Sequence, residues 1–135
     1  MAKEQNWAFP QELRPKPEDW RFELDRALDA VVHLRALIPD DAFTAPLLGT
    51  ERVGNGIVIG EDGLILTIGY LITEASTIWM TTNKGVVVGG FPLAYDQATG
   101  FGLVQPLGKL AAKALARGTA ASCHVGDEEI GRAHV

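Results

Sequence analysis

Cysteine, serine and histidine are all scarce in this sequence, and each scarcity closes off a kind of chemistry. The single cysteine, Cys123, excludes an intrachain disulfide framework and a zinc site built from several thiolates. Only two serines, Ser76 and Ser122, and three histidines, His33, His124 and His134, are present. An enzyme working through a hydroxyl nucleophile or an imidazole must draw on that short list. Long apolar runs are missing too: the stretch from Leu64 to Ile72 is interrupted by Thr67, Gly69 and Tyr70 and is far too short to cross a bilayer. The opening Met-Ala-Lys-Glu-Gln-Asn-Trp has no apolar stretch of the secretory kind, so a cytoplasmic location without membrane partners is expected. Positive charge is outnumbered, with 12 Lys and Arg against 17 Asp and Glu and a net charge of −5. That balance argues against a nucleic-acid partner, whose phosphates call for clustered cations.

What remains is a chain of 135 residues, 47% of them hydrophobic, enough to pack one core. Residues 1–16 are polar, carry Pro10 and Pro15, and read as an extended arm. Residues 17–30 read as a helix: Pro17 suits a first turn, and Glu18 and Asp19 suit the positive end of the dipole. Trp20, Leu24, Ala27, Leu28 and Val31 recur at helical spacing and predict one core-facing stripe.

Residues 31–108 change to strand signals. Val32, Leu34 and Ala36 share one parity, leaving His33 and Arg35 to face outward as a solvated pair without a catalytic role. Strands are predicted over Arg52 to Ile59, Leu64 to Thr67, Thr77 to Thr82, Val86 to Tyr95 and Gly102 to Gln105, with an Asp62-Gly63 turn in the first hairpin. Gly89-Gly90 suggests a bulge or a barrel corner. Gly54-x-Gly56 has no helix start behind it, so it reads as a bulge and not as a phosphate cradle. Short strands separated by turns at this spacing predict an all-β, six-stranded antiparallel barrel preceded by an N-terminal helix. Residues 109–128 are Ala-rich at first and read as a short helix or a linker. The last seven residues, Glu129-Ile-Gly-Arg-Ala-His-Val135, coincide with a one-frame translation of a common short-read sequencing adapter, GAG ATC GGA AGA GCA CAC GTC. Residues 129–135 are therefore set aside as a processing scar, His134 with them, and the natural frame is expected to continue past Glu128.

The order of these motifs resembles the trypsin-like serine peptidases of the HtrA/Deg type. Their first barrel typically reads G-S-G-V-I-I-x-x-D-G-x-I-L-T-N-x-H-V, and this chain has Gly54-Asn-Gly-Ile-Val-Ile-Gly-Glu-Asp-Gly-Leu-Ile-Leu-Thr67, then Ile68-Gly-Tyr-Leu71. Their D-x-x-T-D-L-A-L-L is similar to Asp96-Gln-Ala-Thr-Gly-Phe-Gly-Leu-Val104. Their interdomain G-x-S-x-x-x-x-V-G-D is similar to Gly118 to Asp127, and their opening A-V-V-x-I strand to Ala30-Val-Val-His-Leu34. The likeness runs from about Asp19 to Asp127, which implies a first trypsin-like barrel at 31–108 and the start of a link towards a second.

The resemblance puts the family's catalytic imidazole on Tyr70 and its orienting carboxylate on Gly100, and leaves the serine to a second barrel outside this sequence. The chemistry needs an imidazole to take the serine proton and a carboxylate to orient it. A phenol of pKa about 10 is neutral at pH 7, so using it as a base costs roughly 4 kcal/mol before any reaction. A glycine orients nothing, and loss of that carboxylate alone costs on the order of 10⁴ in rate in the well-studied peptidases. No His lies between His33 and His124, and no Asp or Glu between Asp96 and Asp127, so a shifted register does not restore the set. Asp96 reads as the cap of its own loop. Ser122-Cys123-His124 reads as plain linker, because neighbours in an extended segment face opposite ways. Glu74 and Asp96 are solitary carboxylates, not an acid–base pair. The implied function is therefore a serine endopeptidase homologue without catalytic residues, cofactors or metal in this part. It would bind peptide or protein segments, with homo-oligomerisation open to the full-length protein. The alternative is an active endopeptidase whose catalytic groups are rearranged or supplied by the missing C-terminal half.

Overall fold

The computed structural model describes residues 10–127. Six strands follow one another: β1 (Val31–Leu37), β2 (Glu51–Val58), β3 (Ile65–Ile68), β4 (Thr77–Thr81), β5 (Val87–Tyr95) and β6 (Phe101–Pro106). Each pairs antiparallel with its neighbours, and the sheet closes on itself in the order β1-β2-β3-β6-β5-β4. Two short helices, α1 (Leu24–Asp29) and α2 (Ala45–Leu48), lie before β1 and in the β1–β2 connection. The all-β barrel preceded by a short helix is thus what the chain forms.

Alternation explains the core. Val32, Leu34 and Ala36 of β1 point inward and are fully buried, as are Val58, Ile65, Ile78, Met80 and Val104 from the other strands. The outer row of β1 holds His33 and Arg35, and Arg35 pairs with Glu51 at 2.9 Å. Leu71 and Ile72, from the β3–β4 connection, close one end of the core.

The inward glycines make this packing possible. A Cβ at Gly54 would lie 2.5 Å from Leu71 Cδ1, at Gly56 2.5 Å from Ile65 Cγ2, at Gly90 2.6 Å from Met80 Cε and at Gly102 2.7 Å from Ile72 Cδ1. Small barrels fill their interior by setting small residues against large ones, and here glycines take the small positions. The bulge expected at Gly54-x-Gly56 is therefore absent: β1 and β2 stay in register from Val31↔Ile57 to Leu37↔Glu51. Nor does Gly89-Gly90 break its ladder; the irregularity falls between Pro92 and Ala94.

The helix expected over residues 17–30 is much shorter. Pro17–Asp19 forms a single 3₁₀ turn, Trp20 is extended (φ −122°, ψ 149°), and only Leu24–Asp29 is α-helical. In this extended stretch the rings of Trp20 and Phe22 come within 5.8 Å of each other, an arrangement a helix would not allow. Residues two apart face each other's side in an extended chain and opposite sides in a helix. Leu24 and Leu28 keep the predicted spacing and are buried, while Val31 already belongs to β1. Beyond β6 the Ala-rich segment is irregular up to a 3₁₀ turn at Ala120–Ser122, with Leu110 buried and the Leu115 N–H donating to the Val58 carbonyl at 2.8 Å. The adapter-like residues 129–135, and the arm up to residue 9, lie outside the described residues.

Candidate functional site

Tyr70 sits on a 3₁₀ turn, Gly69–Leu71, that carries the chain out of β3. Its neighbours Gly69 and Leu71 are buried, so the turn pins the backbone while the phenol projects, 45% exposed. Gly69 is glycine because the Tyr95 ring lies directly on it and leaves no room for a Cβ. Gly100 lies next door: the Gly69 N–H donates to the Gly100 carbonyl at 2.7 Å. The two positions singled out in the sequence, 30 residues apart, thus meet at one end of the barrel.

Gly100 closes the β5–β6 hairpin with φ +81° and open space around it, so a left-handed backbone and not crowding calls for glycine there. Asp96 organises that hairpin. Its carboxylate accepts the Ala98 N–H at 3.1 Å and the Thr99 hydroxyl at 2.9 Å, as an Asx turn does. Both oxygens serve the loop, in line with the capping role expected for it.

Beneath Tyr70 lies a cluster with no counterpart in the sequence reading. Arg52 is only 3% exposed, and within hydrogen-bond reach it meets oxygens that carry no formal charge. Its guanidinium donates to the carbonyls of Tyr70 (2.7 Å), Thr73 (3.0 Å) and Gly49 (3.3 Å) and to the Thr44 hydroxyl (2.8 Å). Glu74 stands on the other side of Thr44 and accepts the N–H groups of Phe43 (2.8 Å) and Thr44 (2.7 Å). Hydrogen bonding from the Thr44 hydroxyl, then from the backbone of Thr44 and Phe43, holds the Glu74 carboxyl below its usual range, with a smaller pull from Arg52. Glu74 adopts φ +62°, a strained conformation for a residue with a side chain. The cluster ties the β1–β2 connection to the turn carrying Tyr70. One signal could have revealed it: Arg52 shares the inward parity of Gly56 and Val58 on β2, and a cation in an inward row needs partners.

The remaining candidates stay apart from this end. His33 lies mid-strand on β1, opposite Asn55 and Thr81. Ser122 donates its hydroxyl to the Thr119 carbonyl at 2.7 Å, and the His124 N–H is bonded to Asp127 at 2.7 Å, both on an exposed segment with Cys123. Among the described residues, no group of three or more His, Cys, Asp or Glu is placed to hold a metal ion, and no helix is long and apolar enough to cross a membrane. The larger hollows lie at the opposite end of β1 and β2: an apolar groove of about 610 Å³ runs between Trp20, Leu28, Val31, Ile57 and Leu115. The Tyr70 end is an open apolar surface, with Ile68, Tyr95 and Phe101 about half exposed. Chemically it offers ring faces, a phenolic donor and backbone groups.

No protein-family model matches the chain, and no curated protein matches it in sequence. Solved structures do match in shape. Two are the HtrA-type protease AlgW with a tripeptide and a serine-to-alanine variant of it with a tripeptide. Each superposes with a TM-score of 0.65 at 17% sequence identity, over 77% of this chain and 31% of theirs. The chain therefore spans about a third of the length of these neighbours, and the closed barrel has the trypsin-like fold of the HtrA proteases.

Proposed function

We propose that this chain is part of an HtrA/Deg-type serine endopeptidase homologue whose barrel holds peptide or protein segments and does not itself run hydrolysis. The observation that carries the reading is the meeting of Tyr70 and Gly100 at one end of the barrel, through the Gly69–Gly100 hydrogen bond. These are the positions where the resemblance calls for imidazole and carboxylate. A phenol is not the imidazole that the serine proton transfer calls for. Gly100 has no side chain, its carbonyl and N–H are already engaged by Gly69 and Asp96, and the Asp96 carboxylate is committed to its own loop. The same groups suit binding: exposed aromatic rings, a hydroxyl donor and a rigid backbone. The tripeptide in the two AlgW structures makes a peptide the natural class of partner to test.

The full-length protein, assayed on casein and on a fluorogenic peptide, is expected to show no turnover. Turnover that disappears when the second-barrel serine is replaced by alanine would overturn the reading and establish the active endopeptidase instead. Homo-oligomerisation of the full-length protein and a cytoplasmic setting belong to the same proposal. Sedimentation and localisation of a tagged full-length protein test them.

A further inference from the structure

We draw no further inference here: the strongest candidate, the apolar groove of about 610 Å³ that Trp20, Leu28, Val31, Ile57 and Leu115 line at the far end of β1 and β2, carries none because nothing in the structure shows what covers it.

Discussion

Replacing Arg52 by methionine removes the link between the β1–β2 connection and the Tyr70 turn while keeping an apolar side chain of similar length in its place. Four donated hydrogen bonds disappear, leaving the carbonyls of Tyr70, Thr73 and Gly49 and the Thr44 hydroxyl without that partner. A buried acceptor left unmade costs about 1–3 kcal/mol. Two effects reduce the sum. The guanidinium no longer has to leave water, and water can reach part of the vacated position at the barrel end. The net loss is expected to be about 3 kcal/mol, a large share of the 5–15 kcal/mol typical of a domain. At this chain length that corresponds to a drop in Tm of roughly 10–15 °C. Urea unfolding followed by circular dichroism gives the free energy, and an unchanged m-value shows that the unfolded state is not what moved. Arg52→Lys should lose less, because an ammonium keeps the charge but cannot reach as many carbonyls at once. A double-mutant cycle with Thr44→Val should show coupling of about 0.5–1.5 kcal/mol. A loss below about 1 kcal/mol for Arg52→Met would show that the carbonyls find water without cost, and the clamp would be no clamp.

Three further outcomes are expected. The Glu74 carboxyl is held below its ordinary 4.5. The stability this supplies is complete above that value and lost as pH falls through the lower folded-state value, so Tm between pH 6 and 3 should fall less steeply in Glu74→Gln than in the parent. The remaining slope includes Glu51, lowered by its hydrogen bond to Arg35. Gly69→Ala sets a methyl against the Tyr95 ring and should cost about 1–3 kcal/mol in urea unfolding, with a changed near-ultraviolet signal from the displaced ring. The 135-residue chain exposes Ile68, Phe91, Leu93, Tyr95 and Phe101 on adjoining strands. It is expected to melt low or to aggregate, and a cooperative transition above about 60 °C would contradict this.

Strand parity carried most of the barrel's legibility. Val32, Leu34 and Ala36 against His33 and Arg35 is a period of two that only a half-buried strand satisfies. The family likeness added the trypsin-like barrel, which periodicity alone does not reveal. Local pattern misled in two places. Trp20 stands extended beside Phe22 where its spacing had called for helix. The glycines at 54 and 56 looked like a ladder defect but are spaces cut for Leu71 and Ile65. The nearness of Tyr70 and Gly100 followed from the motif order. The partnership of Arg52, Thr44 and Glu74 did not, because it joins three segments through side chain and backbone atoms whose spacing in sequence has no period.

The four inward glycines also bear on how such a sequence can change over time. Gly54, Gly56 and Gly102 each lie tightest against one bulky side chain and Gly90 against two, Met80 and Val104, so a methyl gained at position 56 fits only if Ile65 gives one up, and a methyl at 102 only if Ile72 does. Drift in this lining should proceed by reciprocal exchanges, glycine trading bulk with its opposite number, and lineages should differ there by two residues or by none.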